Sequence, residues 1–179
     1  ELDEWSAVAW TNTAIPLAAL GRGKEAQANL RRAIELDAGG YNWHNSLAVE
    51  LVLTGDVVGA LPEIAIMPDS GMNPSDLGTR AFVYARAGRR ADAEAIARVL
   101  EKKLVTPRSY SALGYAYLGL GDTDRALTYF ITGADRGDGF VSFLGRELDL
   151  LRPHPRYQEL LRKLNLQDQP AAKLKVRRN

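Results

Sequence analysis

One stretch of this chain resembles a nucleotide-binding loop, but two residues that such a loop needs are replaced. Residues 21–25 read Gly-Arg-Gly-Lys-Glu, like the second half of a loop whose backbone N–H groups cradle phosphates. Ala18 stands where such a loop needs its first glycine, and Glu25 replaces the Ser or Thr that would hold magnesium. We therefore interpret this stretch as a turn between helices.

The residues that could bind a metal or exchange protons are few and poorly spaced. The two histidines, His44 and His154, are far apart, and neither has a carboxylate at ligand spacing on its own helix. The absence of cysteine excludes disulfides and thiolate ligands. Glu147 and Asp149 are two residues apart and point to different sides of a helix, unlike a catalytic carboxylate pair. We expect no catalytic residue, no metal site, no cofactor and no enzymatic activity.

The elements that would position any functional side chain recur along the chain. Turn glycines are separated by 34, 33 and 33 residues, at Gly21, Gly55, Gly88 and Gly121. Five residues after each comes an alanine, at Ala26, Ala60, Ala93 and Ala126. This constant period predicts four copies of a helix–turn–helix unit, none of which can bury its apolar face alone.

The fourth copy shows the pattern most clearly. Its spaced residues, an aromatic, Leu-Gly, Tyr and then Ala-x3-Phe, are Tyr110, Leu113, Gly114, Tyr117, Ala126 and Phe130. Gly114 removes side-chain bulk so that the second helix can approach closely. The order and spacing resemble the tetratricopeptide repeat, a family of helical repeats. The resemblance weakens at Thr13 and Arg80, where Leu is usual, and at Ala97, where a bulky residue is usual.

The resemblance implies an all-α fold, a right-handed α-α superhelix of four helix pairs with C-terminal capping helices. We expect one domain over residues 1–166, with repeats at about 7–40, 41–73, 74–106 and 107–139 and a capping region at 140–166. Residues 1–3 resemble residues 35–37, which suggests that the chain begins at the end of an earlier repeat. Residues 167–179 are polar and basic, and we expect a flexible tail there.

Local signals refine this prediction. Pro16 lies inside the first helix and predicts a kink near residues 12–15. Gly59 and Pro62 predict that the second helix of the second repeat is the least stable of the eight. Ser75 or Asp76 is predicted to cap the first helix of the third repeat.

Charge and hydropathy narrow the possible partners. The formal net charge is +1 over 179 residues, which gives no argument for nucleic acid. Residues 151–179 carry 8 of the 23 Lys and Arg but 2 of the 22 Asp and Glu. These basic residues lack interleaved aromatics, so we interpret them as a solvated surface and tail. No apolar run approaches the roughly 18 residues of a membrane span, and we expect a cytoplasmic protein without membrane contact.

The C-terminal segment carries a second resemblance. Residues 151–164 read Leu-Arg-Pro-His-Pro-Arg-Tyr-Gln-Glu-Leu-Leu-Arg-Lys-Leu. This ending is similar to that of repeat domains at the C-terminus of bacterial multidomain regulators of the winged-helix, cyclase or serine/threonine kinase type. The resemblance implies a domain of a larger regulatory protein whose catalytic or DNA-binding part lies outside this sequence.

In the tetratricopeptide repeat family the leading helix, which is the first helix of each pair, lines a concave groove. The resemblance implies which positions of these helices form the groove wall. The central stripe is Ile15, Val49, Phe82 and Tyr115, followed by a row at Ala18, Val52, Ala85 and Leu118 and a polar row at Thr11, Asn45, Gly78 and Ser111. The stripe is expected to face the groove, because the interior is already supplied by residues two positions further on, at Leu17, Leu51, Tyr84 and Tyr117. We predict Phe82 and Tyr115 as exposed aromatic anchors whose joint replacement by alanine leaves folding nearly intact.

These positions define the predicted partner site. Its residues, including two arginines near the rim, are Thr11, Ile15, Asn45, Val49, Phe82, Arg86, Arg108, Ser111, Tyr115 and Leu118. Members of the family that bind chaperone tails carry Lys and Asn where Thr11 and Ile15 stand, which argues against that partner. We expect a protein–protein interaction module whose apolar groove binds a peptide, a helix or another domain of the same polypeptide. The alternative is a structural spacer or self-association element whose groove is filled by its own chain, and an enzyme or nucleic-acid binder is the least favoured class.

Overall fold

The structure is a computed structural model that describes residues 6–67, 72–102, 106–138 and 145–166. Four antiparallel helix pairs follow one another along the chain: α1 (Ala7–Ala19) with α2 (Gly23–Leu36), α3 (Tyr41–Leu53) with α4 (Val57–Ala65), α5 (Pro74–Arg86) with α6 (Arg90–Lys102), and α7 (Pro107–Leu120) with α8 (Thr123–Asp135). A 3-10 helix (Arg146–Leu151) and α9 (Tyr157–Lys163) come after them. These described residues contain no strand, and consecutive pairs pack together as in a helical-repeat solenoid. The predicted all-α fold is confirmed.

The turn glycines end the first helix of each pair. Each adopts a left-handed backbone conformation that L side chains rarely reach, with φ of 76° at Gly21, 94° at Gly55, 77° at Gly88 and 79° at Gly121. The following helix then starts within two residues, and Asp56 and Asp122 accept backbone N–H groups in the first turns of α4 and α8. The period seen in the sequence is therefore a period of helix endings.

The cap of α5 differs from the prediction. Asn73, rather than Ser75 or Asp76, is the N-cap, and its side chain accepts from the backbone N–H of Asp76 at 3.1 Å. Pro74 explains the shift, because proline favours the first helical position and so places the cap one residue earlier. Asp76 lies inside the first turn and is buried.

Two prolines lie inside helices without ending them. Helix α1 continues through Pro16 to Ala19, and α4 continues through Pro62 to Ala65. Helix α4 has 9 residues, fewer than any other of the eight paired helices. Each proline removes one backbone hydrogen bond, so these helices depend more heavily on packing against their neighbours.

Glycines set the closest approaches in the second half of the array. A Cβ at Gly78 would lie 2.8 Å from the Ala112 Cα, and one at Gly119 would lie 2.6 Å from the Phe82 Cα. Both contacts join α5 to α7 in the same order along the two helices, so these helices run parallel with their backbones almost touching. Gly114 allows the close approach predicted for the two helices of the fourth pair, since a Cβ there would lie 2.6 Å from the Phe130 ring.

Arg80 stands where this type of repeat usually has leucine, and the structure explains the exchange. Its side chain is buried, and Nη2 donates to the Met67 carbonyl at 2.8 Å. That carbonyl lies just beyond the end of α4, where unpaired carbonyl groups favour a cation. Arg80 thereby joins α5 to the end of the preceding pair.

Candidate functional site

The predicted central stripe divides into an exposed half and a buried half. Ile15 is 60% exposed and Val49 is partly buried, whereas Phe82 and Tyr115 are 0% and 4% exposed. The expectation that Phe82 and Tyr115 are exposed anchors is wrong. The close approach of α5 and α7 turns this position toward the neighbouring helix, and the two rings pack with centroids 4.8 Å apart.

This burial also overturns the expectation for alanine at both positions. Phe82 is among the largest fully buried side chains, so Phe82→Ala leaves a cavity between α5 and α7. We expect that change alone to lower the free energy of unfolding by about 3–5 kcal/mol, measured by urea denaturation. An unchanged midpoint would contradict the packing.

The polar row forms hydrogen bonds inside the protein, and one of them joins two repeats. Thr11 is buried and its hydroxyl donates to the Ala7 carbonyl, while Ser111 is buried and donates to Asp138. Asn45 donates to the Asp76 carboxylate at 3.1 Å, which connects α3 to α5. Burial raises the pKa of Asp76, against the lowering effect of the bonds it accepts. These side chains are committed to internal contacts.

The remaining predicted residues lie at different depths. Leu118 is 2% exposed and belongs to the core. Arg86 ends α5, Arg108 is near the start of α7, and both are exposed. Because α5 and α7 are parallel, these arginines lie near opposite ends of the two helices and do not form one anion site.

A segment after the last repeat contacts the first helices of two repeats, α3 and α7. We call residues 145–151, which include the 3-10 helix, the strap. Arg146 Nη1 lies 3.0 Å from Glu50 Oε1 on α3, and Tyr115 on α7 donates its hydroxyl to Glu147 Oε1 at 2.6 Å. Leu148 and Leu151 of the strap are buried. The strap therefore joins the second repeat to the fourth.

The two polar contacts of the strap are made to buried partners. Glu50 is 4% exposed, and its burial raises the pKa of the carboxyl group although Arg146 opposes the rise. Burial also raises the pKa of Tyr115 well above its ordinary value, and the Glu147 carboxylate adds to that rise. Glu50 requires a cation when ionised, and the Tyr115 hydroxyl requires an acceptor.

The first repeat presents an uncovered apolar surface. Val8, Ile15 and Leu20 of the α1 region are 55%, 60% and 54% exposed. Val8 and Ile15 are seven residues apart and share a face of α1. The first repeat thus exposes apolar side chains, whereas the strap contacts the second and fourth repeats.

Of the two residues that bond the strap, Tyr115 was predicted as a partner-site residue and Glu50 was missed. Glu50 carries the one detectable signal, since it is the single charged residue in the apolar run 47–53, Leu-Ala-Val-Glu-Leu-Val-Leu. Glu147 and Asp149 do separate as expected, because Glu147 bonds Tyr115 while Asp149 pairs with Arg152. In the described part of the chain no three His, Cys, Asp or Glu side chains group as a metal site, and no helix is long and apolar enough to cross a membrane.

Comparison with known families agrees with this geometry. Residues 107–134, which span α7 and most of α8, match a family model described as tetratricopeptide repeat. Residues 77–98, within α5 and α6, match a second model of the same description. The matches support a tetratricopeptide repeat family. Repeats of this family generally mediate protein–protein interaction and are typically not catalytic, and no curated protein matches the chain.

Proposed function

We propose that this chain is a protein-interaction module whose concave surface holds a polypeptide segment, which is a peptide, a helix or a neighbouring domain. The observation that carries the proposal is the strap. A segment outside the four helix pairs lies on this surface and is held by side chains from two leading helices, Glu50 and Tyr115. A surface that binds one such segment has the shape and the chemistry to bind another.

The exposed and partly buried members of the predicted site give the proposal its contact residues. Ile15 and Val49 supply apolar contact at the open end, and Arg86 and Arg108 supply charge at the two rims. The buried members support the wall from behind and are not expected to touch a partner, namely Thr11, Phe82, Ser111 and Leu118. Tyr115 and Asn45 belong to neither group. The Tyr115 hydroxyl bonds the strap, and the Asn45 side chain bonds the neighbouring repeat at Asp76.

A peptide selection tests this proposal. Short random peptides are selected on the full chain, and synthetic copies are titrated against wild type and Ile15→Asp. Val58→Asp is the matched control, since Val58 is an aliphatic residue of α4 that is 80% exposed. We expect Ile15→Asp to weaken binding about tenfold and Val58→Asp to leave it unchanged. The proposal fails if no selected peptide binds in solution, or if both variants weaken binding equally.

The strap also favours a second candidate function. A structural spacer needs its groove filled by its own chain, and the contacts of Arg146 and Glu147 satisfy that description. On this view Arg146→Ala lowers stability without creating a binding surface. Thermal melting together with the peptide titration separates the two candidates, because a spacer loses stability and still binds no peptide.

The proposal includes a regulatory setting. The similarity of residues 151–164 to the ending of repeat domains in bacterial multidomain regulators supports a place in such a protein, acting in the cytoplasm. The partner would then be a protein or another domain of the same polypeptide, rather than nucleic acid or membrane. Binding of peptides to the isolated chain tests the module and leaves this setting to be tested in the longer protein.

A further inference from the structure

We propose that the strap is an internal pseudo-ligand, and that the partner of the concave surface is a segment of another protein with the strap's chemistry, a basic residue followed by an acidic residue and leucines. The partner enters by displacing the strap. This inference rests on the proposed function and specifies its ligand.

The first step concerns Glu50. Its carboxylate is 4% exposed within an apolar stretch of α3, and the strap supplies its ion-pair partner, Arg146. The fit is close, because a Cβ at Gly23 would lie 3.3 Å from the Arg146 Nη1 and 2.5 Å from the Glu50 Oε1. A buried carboxylate left without its cation is strongly unfavourable. A segment that replaces the strap and brings a Lys or Arg to this position therefore keeps the ionised Glu50 paired, and such a segment is favoured over one without a cation.

The second step concerns Tyr115. Its hydroxyl donates to Glu147 at 2.6 Å and is otherwise enclosed by the core. Losing this acceptor leaves a buried donor unpaired, which a carboxylate on the incoming segment would prevent. Arg146 and Glu147 are consecutive, so the two requirements fall on adjacent residues of a ligand.

The third step concerns how the strap is held. Its 3-10 helix has 6 residues, which is longer than such helices usually persist without support. The Arg146 side chain is 25% exposed, so solvent and a competing segment can reach the ion pair from outside. Leu148 and Leu151 are 7% and 0% exposed and belong to the core. The strap thus presents a charged pair to Glu50 and Tyr115, followed by leucines that are buried.

Competition sets the conditions of the test. A tethered segment acts at an effective concentration on the order of millimolar, which a free peptide of the same sequence cannot overcome at micromolar concentration. The probe is therefore the synthetic peptide Gly-Arg-Glu-Leu-Asp-Leu-Leu-Arg, a copy of residues 145–152, titrated into full-length 15N-labelled protein. The protein is wild type or the strap variant Arg146→Ala with Glu147→Ala, and amide shifts of α3 and α7 report binding.

The proposal requires the strap variant to bind the probe at least about tenfold more tightly than wild type does. Adding Glu50→Gln to the variant should weaken that binding about tenfold, because the peptide's arginine loses its partner. A control peptide in which the first arginine and the glutamate are exchanged should not bind. The proposal would be overturned by equal binding of the probe to wild type and variant, or by binding that survives Glu50→Gln. It would also be overturned if the probe failed to bind a variant whose amide shifts are native. If the double variant melts early, Arg146→Met takes its place, because it removes the cation that pairs with Glu50 and keeps most of the side chain's volume.

The outcomes distinguish this inference from the proposed function. If selected random peptides bind near Ile15 and the strap peptide does not bind, the interaction module is upheld and the pseudo-ligand is rejected. A strap peptide that binds the variant while no random peptide binds would uphold the pseudo-ligand and reject the apolar surface near Ile15 as a partner site.

Discussion

Gly119→Ala tests the backbone contact between α5 and α7, on which the buried half of the concave surface depends. A Cβ at this position would lie 2.6 Å from the Phe82 Cα and 2.9 Å from its carbonyl oxygen. Carbon atoms pack best at about 3.5–4.0 Å, so the two helices must move apart by roughly 1 Å. The obstacle is backbone, which cannot rotate away as a side chain can.

The net effect follows from two opposing terms. Overpacking of a core costs about 1–3 kcal/mol, and we expect the upper part of that range because backbone must shift. Alanine recovers about 1 kcal/mol relative to glycine inside a helix. The free energy of unfolding should therefore fall by about 1–2 kcal/mol, which lowers Tm by roughly 2–8 °C in a chain of this size.

Gly133→Ala is the matched control, because it makes the same chemical change inside α8 at a position with room. A Cβ there would have its nearest neighbour at 3.4 Å, the Tyr110 Cβ. The helix-propensity gain should then dominate and raise the free energy of unfolding by up to about 1 kcal/mol. Urea denaturation and calorimetry of both variants check the signs. A change of the same sign in the two variants would refute the reasoning, since helix propensity alone would then explain both.

Three further predictions follow from the packing and from the buried carboxylates. Ala126 is 0% exposed between helices, so Ala126→Leu should cost about 1–3 kcal/mol, whereas the same change at exposed Ala95 should leave the melting temperature nearly unchanged. Helix α4 (Val57–Ala65) is the shortest of the eight and contains Pro62, so its amides should exchange fastest among the paired helices, and uniform protection would contradict this. The raised pKa of Asp76 means that the folded state holds its proton more readily than the unfolded state, so this group's contribution to stability falls as pH rises from about 4 through the raised value. The stability of wild type minus that of Asp76→Asn should accordingly decrease over that range in urea titrations, and a flat or rising difference would show that the carboxyl group is not destabilised by burial.

The sequence was sufficient to predict the helix pairs, because the signals that define them are local. Gly21 and its three counterparts end helices through their own backbone conformation, and Asp56 and Asp122 cap helices three residues from the N–H groups they accept. The period also places Ala26 and its counterparts in the core, where all four are 0% exposed. Each of these features acts within a few residues, so spacing alone reveals it.

The accessible part of the concave surface was decided by tertiary structure. Phe82 and Ile15 occupy the same repeat position, yet one is fully buried and the other is 60% exposed, because α5 meets α7 at Gly119. A periodic pattern predicts the same burial for equivalent positions and carries no information on how closely two particular helices approach.

The strap depends on the longest-range contact of the site. Arg146 and Glu50 are 96 residues apart in sequence. Neither residue carries a local signal of the other, since their pairing follows from the way the helix pairs stack in three dimensions. The sequence by itself determined the repeating units, and their stacking in three dimensions determined which surface remains open and which segment covers the rest.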